Sequence, residues 1–446
     1  MSSDLIILGG GESGTGAAIL AKKEGLNVFL SDSGKIKEKF KNVLLHHEIR
    51  FEEGKHSENL ILKAGEIVKS PGIPDNSPLI QKLRTKAVPI ISEIEFAGRY
   101  TRAKTICITG SNGKTTTTLL TYHIMKNAGL DVQVAGNVGQ SFAMKVAEKD
   151  SAYYVLEISS FQLDGMFRFK ADTAVITNIT PDHLDRYDYN FQNYINSKFR
   201  IIQNQLQADN LVYCADDEVI INELKKRRIP SRKYPFSILK SIESEGAYLE
   251  NKNAIINIKQ HPLVMTLNNL ALQGKHNIYN SMAAGIASRI VDIRNDLIKK
   301  SLADFQNIEH RLEYVAKVRG VEFINDSKAT NVNSTWYAIE SMTKPVIWIA
   351  GGVDKGNDYT ILKSLVKLKV KAIVLLGSDN SKIRSEFEGV IPEIIETTNM
   401  QQAVDMAYYL AEGEDVVLLS PACASFDLFE NFEERGVKFK KAVSEL

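Results

Sequence analysis

The sequence predicts an α/β protein of three domains, each built on a parallel sheet. Its 446 residues correspond to about three domains at about 150 residues per domain. Three times the chain repeats a short apolar strand, a turn rich in Gly or Ser and an expected helix; the three strands are 5–8, 105–108 and 346–349. Apolar strands that alternate with helices are typical of parallel sheets covered on both faces.

Further runs refine this division. Buried strands are expected at 154–156, 174–176, 372–376 and 416–419, and a hairpin is expected at 248–256 within the middle domain. Ser92 and Glu95 have the spacing of a capping box, which predicts that a helix begins near residue 93. We therefore predict domains at residues 1–95, 96–305 and 306–446.

The composition excludes several classes of protein. Lys and Arg number 55 against 54 Asp and Glu, so no general attraction to nucleic acid or to an anionic membrane is expected. No apolar run approaches the ~18 residues of a membrane span, and the first residues lack the basic region of a signal peptide. Cys107, Cys214 and Cys423 form no CxxC pair, which favours reduced thiols and a cytoplasmic location.

Gly9, Gly11 and Gly14 lie between the first strand and the helix expected after it. Glycines at this spacing let backbone N–H groups and a helix N-terminus approach a pyrophosphate. Asp32 ends the next expected strand, where a carboxylate can bind a ribose hydroxyl. By itself this pattern predicts either a nicotinamide dinucleotide site or a tight turn without a ligand, and Glu12 is an unfavourable neighbour for phosphates.

A second loop predicts a site for a nucleoside triphosphate. Its backbone would surround the phosphates, Lys114 would reach the terminal ones, and the hydroxyl of Thr115 could hold Mg²⁺. The residue five positions before Gly113 is Ile108 instead of the usual glycine, and a chance Gly-Lys-Thr turn is the alternative. The predicted nucleotide-binding residues are Gly110, Ser111, Asn112, Gly113, Lys114, Thr115 and Thr116.

Two further side chains follow expected strands in the middle domain. Glu157 ends the 154–156 strand, where a carboxylate could bind Mg²⁺ or could instead cap a helix near Ser159. Thr180 and Pro181 match the N-cap and first position of a helix, so we expect a helix to begin there. His183 would then point into the same crevice, although a lone histidine is more often a packing or surface residue.

Lys198 lies on the apolar face of an expected helix. Apolar residues at i, i+3, i+4 and i+11 share this face with the lysine at i+7: Phe191, Tyr194, Ile195 and Ile202. One explanation is that the lysine reaches water from the edge of the face. The alternative is a buried functional lysine, and carbamylation by CO₂ would convert its amine into an anion with oxygen ligands for Mg²⁺.

Taken together, the motifs resemble those of the Mur ligases, and the resemblance covers nearly the whole chain. Two segments, Ser159–Leu163 and Ser420–Ser425, are most similar to the members that add D-glutamate. The matching segments are 109–115, 135–139, 156–163, 177–187, 274–277, 309–311, 325–331, 351–355, 420–425 and 431–436.

The resemblance implies an N-terminal Rossmann-like UDP-binding domain, a central P-loop ATPase-like domain with a parallel sheet, and a C-terminal Rossmann-like domain. It reassigns the first glycine loop to the uridine diphosphate of a UDP-sugar. The residues implied for this substrate are Ser13, Gly14, Thr15, Asp32, Ser33, Gly72, Asn137 and His183.

The resemblance also implies ATP, two Mg²⁺ ions and an amino acid. Thr115 and Glu157 would hold one ion, and His183 and carbamylated Lys198 the other, so that Lys114, Glu157, His183 and Lys198 are the predicted catalytic residues. Asn277, Arg311 and Asp326 match positions that hold the adenine and ribose of ATP. The residues implied for D-glutamate are Lys328, Thr330, Lys355, Ser425, Phe426 and Phe432.

The implied reaction joins D-glutamate to UDP-N-acetylmuramoyl-L-alanine through an acyl phosphate, in the synthesis of peptidoglycan precursors. We expect a monomer whose domains close around the substrates. Four alternatives remain at this point: a related Mur ligase that adds another amino acid, a folylpolyglutamate synthase, an NAD-dependent dehydrogenase, and a nucleotide-gated binding module without chemistry. The folylpolyglutamate synthases lack the ~100 residues that precede the phosphate loop here.

Overall fold

The computed structural model describes residues 5–305 and 309–446 and confirms the α/β class. Within these residues the strands form three sheets of five, nine and six strands. The predicted boundary between residues 305 and 306 adjoins residues 306–308, which lie outside the described part.

The first sheet is entirely parallel, in the order β3-β2-β1-β4-β5. Because β1 is central and the chain crosses from one side of it to the other, the loop after β1 lies at a switch point, where open α/β sheets bind ligands. The strands are β1 (Leu5–Leu8), β2 (Val28–Ser31), β3 (Arg50–Glu52), β4 (Glu66–Lys69) and β5 (Ile90–Ile91). The helices are α1 (Glu12–Lys23), α2 (Glu38–His46), α3 (Glu58–Ile61), α4 (Pro78–Thr85) and α5 (Glu93–Ala97).

The second sheet has the order β14-β13-β12-β11-β10-β9-β6-β8-β7. The strands are β6 (Lys104–Thr109), β7 (Val132–Gly136), β8 (Tyr153–Glu157), β9 (Thr173–Ile176), β10 (Asn210–Cys214), β11 (Arg232–Ser237), β12 (Gly246–Glu250), β13 (Asn253–Asn257) and β14 (Leu263–Thr266). The helices are α6 (Lys114–Asn127), α7 (Phe142–Glu148), α8 (Ser160–Asp164), α9 (Phe191–Phe199), α10 (Glu218–Lys226), α11 (Lys275–Ile290) and α12 (Asn295–Asp304), with 3₁₀ turns at Leu184–Arg186, Arg200–Ile202 and Leu267–Asn269.

In this sheet one expected element is present and another is absent. The hairpin is confirmed as β12 and β13, which pair in antiparallel fashion, and β12 also pairs with β11, so the hairpin extends the main sheet. The helix expected at Thr180 and Pro181 is wrong, because residues 177–183 are irregular and the next α-helix begins at Phe191. The Thr180 N–H and carbonyl both bond the Ser111 hydroxyl, and His183 has a left-handed φ of 53° that no α-helix accommodates.

The third sheet has the order β15-β16-β20-β17-β18-β19 and is parallel except for the β15–β16 hairpin. The strands are β15 (Glu313–Val318), β16 (Val321–Asn325), β17 (Val346–Ala350), β18 (Val370–Leu376), β19 (Glu393–Thr397) and β20 (Val416–Leu419). The helices are α13 (Val332–Ser341), α14 (Lys363–Lys369), α15 (Ser381–Phe387), α16 (Met400–Leu410) and α17 (Phe432–Ser444), with a 3₁₀ turn at Thr360–Leu362.

Strand β17 shows why apolar strands predicted a covered sheet. Val346 and Trp348 pack into one apolar cluster, whereas Ile347 and Ile349 pack into another. Since successive side chains of a strand point to opposite faces, both faces of this sheet are buried. The helix expected directly after Gly352 is wrong, because a loop continues to the 3₁₀ turn at Thr360.

By their contacts the residues group into two compact units. Among the described residues, one comprises 5–181, 186–273 and 277–305 and contains the first two sheets, whereas the other comprises 182–185, 274–276 and 309–446 and contains the third. The division of the first unit near residue 95 stays a prediction. No helix within the described ranges is long and apolar enough to cross a membrane.

Candidate functional site

The loop between β6 and α6 has the geometry of a phosphate cradle. Gly113 precedes the helix in the left-handed region at φ 81°, and Gly110 has a φ of 150°. A side chain would not fit at either position, since a Cβ on Gly110 would lie 1.9 Å from Thr177 Oγ1 and one on Gly113 would lie 2.4 Å from Asn280 Oδ1. The loop therefore keeps a close-packed backbone that leads directly into the N-terminus of α6, and a helix N-terminus attracts anions.

This loop is braced by the segment that follows β9. The Asn112 N–H donates to Asn178 Oδ1 at 2.9 Å, and Thr177 Oγ1 donates to the Asn112 carbonyl at 2.6 Å. The Ser111 hydroxyl donates to the Thr180 carbonyl at 2.7 Å. All of these partners are neutral, so the loop is held in shape without introducing a negative charge.

Lys114 lies over its own loop. Its Nζ donates to the carbonyls of Gly110 and Ser111, each at 2.9 Å. Thr115 and Thr116, at 6% and 2% exposure, occupy the first turn of α6 beside it. The predicted phosphate-binding residues 110–116 are therefore together at one end of β6.

Glu157 and Asn137 lie at the same edge of the sheet as this loop. Strands β6 and β8 pair with Ile108 opposite Glu157, and the Ile158 N–H donates to the Ile108 carbonyl at 2.9 Å. Asn137 Nδ2 donates to Glu157 Oε1 at 2.7 Å, and its backbone N–H donates to the Glu157 carbonyl at 2.8 Å. The hydrogen bond from the Asn137 side-chain amide positions Oε1 of Glu157 and leaves Oε2 for a ligand.

The residues at this edge fit a magnesium ion. Glu157 is 2% exposed, and its Oε2 is buried without a hydrogen-bond partner among the described residues. A buried carboxylate oxygen without a partner is costly unless a cation or a donor occupies the site. Mg²⁺ prefers oxygen ligands and takes few of them from the protein, so one carboxylate oxygen beside a phosphate loop suits it.

Of the two explanations left open for Lys198, the structure supports burial. Lys198 lies on α9 at 1% exposure, and its Nζ is 4.6 Å from the ring centroid of Tyr194. The explanation that this lysine reaches water is therefore wrong. Helix α9 ends at Phe199, so Ile202 belongs to the 3₁₀ turn that continues it.

His183 lies among residues 182–185, which group with the other unit. Its side chain is 33% exposed, and its Nε2 is 3.8 Å from Asp182 Oδ2. Its role as a second ligand with Lys198 stays a prediction.

The first glycine loop is confirmed as a strand–loop–helix junction at the switch point of the first sheet. Gly14 lies so close to the loop that a Cβ there would be 1.9 Å from the Gly9 carbonyl oxygen. Ser13 and Gly14 are in the first turn of α1, where N–H groups have no partner within the helix. The Thr15 N–H instead donates to the Gly11 carbonyl at 2.9 Å, whereas Thr15 Oγ1 is buried and has no hydrogen-bond partner among the residues that the structure describes.

Asp32 organises this loop directly. Its Oδ2 accepts the Gly10 N–H at 2.6 Å, and its Oδ1 accepts the Gly34 N–H at 2.7 Å. The predicted neighbours Ser33 and Gly72 follow β2 and β4, which flank β1, so the three loops share one edge of the sheet.

Arg186 is a site residue to which the sequence analysis gave no role. Its Nη2 donates to the carbonyls of Pro71 and Ile73 at 3.3 and 3.2 Å, and its guanidinium lies 4.4 Å from the ring centroid of Phe161. It thereby connects the loop that contains Gly72 to the central sheet. In the sequence, the only indication of a role for Arg186 is its place in the 177–187 segment that resembles the Mur ligases.

In the other unit, three of the predicted amino-acid-binding loops follow neighbouring strands. Lys328 follows β16, Lys355 follows β17 and Ser425 follows β20, and the order β16-β20-β17 brings the ends of these strands to one edge. Thr330, Phe426 and Phe432 belong to the same region, and Lys328 Nζ lies 4.9 Å from the ring centroid of Phe432. Phe426 is 71% exposed, whereas Ser425 is 2% exposed.

The residues predicted for adenosine divide between the units. Asn277, in the first unit, donates through Nδ2 to the Gln273 carbonyl at 2.8 Å. In the second unit Asp326 accepts hydrogen bonds from Ser420 Oγ at 2.9 Å and from the Leu312 N–H at 3.2 Å. Burial raises the pKa of Asp326 to about 6, although Arg311 opposes this effect.

Comparison with known protein families covers most of the chain. A model of the MurD N-terminal domain matches residues 5–79, one of the Mur ligase middle domain matches residues 108–288, and one described as "Mur ligase, glutamate ligase domain" matches residues 310–423.

Full-length relatives are also found. The chain is 55% identical over 446 residues to the UDP-N-acetylmuramoylalanine–D-glutamate ligase of Christiangramia forsetii, with 100% of both chains covered. It is 55% identical over 445 residues to the enzyme of the same name from Bacteroides fragilis, with 99% of both covered. A solved MurF ligase from Thermotoga maritima in complex with ADP has the same fold, with a TM-score of 0.60 at 15% identity, over 94% of this chain and 95% of that one. The chain belongs to the Mur ligase family, and within it to the enzymes with the MurD type of N-terminal domain.

Proposed function

We propose that this chain adds D-glutamate to UDP-N-acetylmuramoyl-L-alanine with cleavage of ATP, as an enzyme of peptidoglycan precursor synthesis. The observation that carries the proposal is the identity of 55% over the whole length of relatives named for this reaction. As a member of the Mur ligase family the protein is a carboxylate–amine ligase. The three-domain division at residues 95 and 305, the monomeric state and the cytoplasmic location remain part of the proposal.

The loop at residues 110–115 suits the phosphates of ATP. The N–H groups at the N-terminus of α6 would bind the phosphate oxygens, and Lys114 would leave the carbonyls of Gly110 and Ser111 to pair with the terminal phosphates. The ADP held by the solved neighbour supports a nucleotide in this fold. Asn277, Arg311 and Asp326 would bind the adenosine.

The reaction starts from a carboxylate, which is a poor electrophile. An oxygen of the L-alanyl carboxylate would attack the γ-phosphorus, and the bond to ADP would break, giving an acyl phosphate. The amine nitrogen of D-glutamate would then attack the acyl carbon and lose a proton, and inorganic phosphate would leave from the tetrahedral intermediate. Because both reacting groups are anionic, Lys114 would lower the barrier by stabilising the charge between them.

Magnesium would neutralise charge on the phosphate and carboxylate oxygens when bound. We assign one ion to Thr115 and Glu157, for which the unpartnered Glu157 Oε2 is the support. A second ion is assigned to His183 and Lys198. Carbamylation of Lys198 would provide the oxygen ligands that an ammonium lacks, and its 1% exposure makes an unmodified ammonium costly.

The other substrates are assigned to the remaining loops. The UDP-sugar would bind with its pyrophosphate at the N-terminus of α1, near Ser13 and Gly14, and with its uridine near Asp32, Ser33 and Gly72. Lys328 and Lys355 would pair with the carboxylates of D-glutamate, with Thr330, Ser425, Phe426 and Phe432 around them. Asn137 and His183 would contact the sugar-bound L-alanyl arm.

The direct test is phosphate release from ATP in the presence of UDP-N-acetylmuramoyl-L-alanine and a panel of amino acids. We expect release with D-glutamate and none with L-glutamate, L-alanine or a diamino acid. Release with another member of the panel would instead favour a related ligase. ATP hydrolysis that is independent of any amino acid would contradict amide formation.

Lys198 has a matched control in the same unit. Lys126 lies on α6 with its Nζ 5.5 Å from the ring centroid of Tyr122, the same kind of contact, but it is exposed. We expect Lys198→Ala to reduce turnover by about 10²-fold or more, as loss of a group at the reacting charges does, and Lys126→Ala to retain it. Intact mass of a CO₂-equilibrated sample should show one added carboxyl group only while Lys198 is present. Full turnover by Lys198→Ala would contradict the metal role.

A further inference from the structure

A buried arginine outside the predicted site connects two of its loops. Arg435 lies in the second turn of α17 and is 1% exposed. It is the second largest of the side chains buried to this degree, after Trp348. Moving a charged guanidinium out of water is costly unless hydrogen bonds or an ion pair compensate for the lost hydration.

Every hydrogen bond recorded for this guanidinium goes to one of two loops. Nε donates to Ser327 Oγ at 3.0 Å, and Nη2 donates to the Ser327 carbonyl at 2.8 Å. Nη1 and Nη2 both donate to the Cys423 carbonyl at 3.2 Å. Ser327 directly precedes Lys328 in the loop after β16, and Cys423 is two residues before Ser425 in the loop after β20.

The third loop of this edge is attached by its backbone. The Val353 N–H donates to the Ala424 carbonyl at 2.9 Å, and the Ala424 N–H donates to the Val353 carbonyl at 3.2 Å, so the loop with Lys355 pairs with the loop with Ser425. The Ser327 hydroxyl also donates to the Phe432 carbonyl at 2.8 Å at the start of α17. Arg435 thus adds a side-chain connection between the loops after β16 and β20, beside the hydrogen bond from Ser420 Oγ to Asp326.

The charge of Arg435 has no carboxylate within ion-pair distance in the described part of the chain. Its acceptors are two carbonyls and one hydroxyl, all neutral. Asp326 and Asp427 are near enough to favour the charged form, but burial dominates and lowers the pKa of Arg435 to about 10. The arginine therefore stays protonated at neutral pH, and Asp326 and Asp427 partly offset its charge.

We propose that Arg435 is a positioning residue for the amino-acid substrate: its hydrogen bonds to Ser327 and Cys423 fix the loops of Lys328 and Ser425 in register. The proposal rests on the proposed function, because a substrate with two carboxylates is the partner that such a preformed cationic edge would bind. Arg435 acts through Lys328 and Ser425 and does not itself contact the substrate. A preformed site binds more tightly because fewer loop conformations are lost on binding.

The test compares Arg435→Met with Val443→Ala by steady-state kinetics. Val443 is a core residue on the same helix at 3% exposure and lies in the apolar cluster on the α16–α17 side of the sheet, so its truncation lowers stability without removing a bond to either loop. For Arg435→Met we expect the KM for D-glutamate to rise at least tenfold, while the KM for UDP-N-acetylmuramoyl-L-alanine stays within twofold. For Val443→Ala we expect both KM values to stay within twofold, even where its Tm falls as far.

Two outcomes would overturn the inference: a KM for D-glutamate in Arg435→Met within twofold of that in Val443→Ala, or an equal rise in the KM of every substrate. If Arg435→Met does not fold, Arg435→Lys carries the test, since it keeps the charge but cannot span both carbonyls, and a rise of about threefold confined to D-glutamate is expected. The wild-type enzyme separates the two proposals. If it accepts another amino acid, the proposed function fails, and the same KM split is measured for the amino acid that it does accept.

Discussion

The two glycine loops of the first unit share a strand–loop–helix geometry but differ in the charge that shapes them. The first loop is held by a carboxylate, because Asp32 accepts the N–H groups of Gly10 and Gly34 at 2.6 and 2.7 Å. The second loop is held by neutral amides and hydroxyls, and a cation, Lys114, lies over it with its Nζ 2.9 Å from two carbonyls.

This difference shows why a glycine pattern alone does not identify a ligand. Both loops present a helix N-terminus, which favours phosphate. At the first loop the helix N-terminus would bind a diphosphate. The carboxylate of Asp32 can accept hydrogen bonds, so we expect the rest of that ligand to carry hydrogen-bond donors. The second loop has a lysine and an unpartnered oxygen on Glu157, which suit a triphosphate with Mg²⁺.

The largest effect is expected at the cation of the second loop. Lys114→Met should reduce phosphate release by about 10²–10³-fold, because a charge that stabilises the transferring phosphoryl group is lost. The KM for the UDP-sugar should stay unchanged, since the first loop is intact. Steady-state kinetics with each substrate varied in turn measures both values. A normal rate for this variant would contradict the assignment of the loop to ATP.

The next effect concerns the contact that fixes the helix of the first loop to the central sheet. Helix α1 packs on α7 so closely that a Cβ on Gly16 would lie 1.9 Å from Ser141 Oγ, and Glu93 accepts the Ala143 N–H in the same interface. Burial raises the pKa of Glu93 from 4.5 to about 7, and the charge of Glu12 adds to this effect.

Because the folded state binds the Glu93 proton more tightly than the unfolded state does, this residue's contribution to stability is full below pH 4.5 and is lost as pH rises to about 7. The change in the free energy of unfolding is about 3 kcal/mol, since a tenfold change in a proton equilibrium is about 1.4 kcal/mol. Glu93→Gln should remove this slope. Urea unfolding from pH 5 to pH 8 gives the difference between the two proteins, in which other titrating groups cancel, and parallel curves would contradict the prediction.

A smaller effect separates two glycines of the first loop. Gly14→Ala places a Cβ 1.9 Å from the Gly9 carbonyl oxygen, whereas a Cβ on Gly11 meets no atom within 4 Å. Because such overpacking costs about 1–3 kcal/mol, we expect Gly14→Ala to raise the KM for the UDP-sugar about 10- to 100-fold and leave the KM for ATP unchanged. Gly11→Ala is the matched control and should change neither value by more than about twofold. Equal effects of the two substitutions on the KM for the UDP-sugar would show that this KM does not depend on the close packing of α1 on the loop.

Local signals predicted local structure well and long-range partners poorly. Ser92 does cap α5 by accepting the Glu95 N–H at 3.2 Å, as the capping box predicted. The Glu95 side chain, however, accepts N–H groups from Phe167, Arg168 and Phe169, more than 70 residues away. The capping-box pattern spans only residues 92–95, so it contains no information about hydrogen bonds between Glu95 and a turn more than 70 residues away.

The incorrect helix at Thr180 has the same origin. Thr-Pro at the start of a polar run is a sound helix signal, but the hydroxyl of Ser111 uses both backbone groups of Thr180. For Lys198 the apolar stripe left two explanations open, and the 1% exposure of the side chain selected burial.

The sequence by itself determined the α/β class, the two glycine loops and the apolar helix face that contains Lys198, because strand periodicity, glycine spacing and helical faces are properties of neighbouring residues. The resemblance of its motif segments to the Mur ligases indicated the family. Only the tertiary structure decided which side chains share an edge of a sheet. In the folded protein Asn137 donates a hydrogen bond to Glu157, and Arg186 donates to the loop that contains Gly72. Arg435 connects the loops of Lys328 and Ser425. These contacts join residues that are distant in sequence and come together only when the sheets form. They depend on the burial of apolar side chains and on strand pairing throughout the fold, which no local pattern contains.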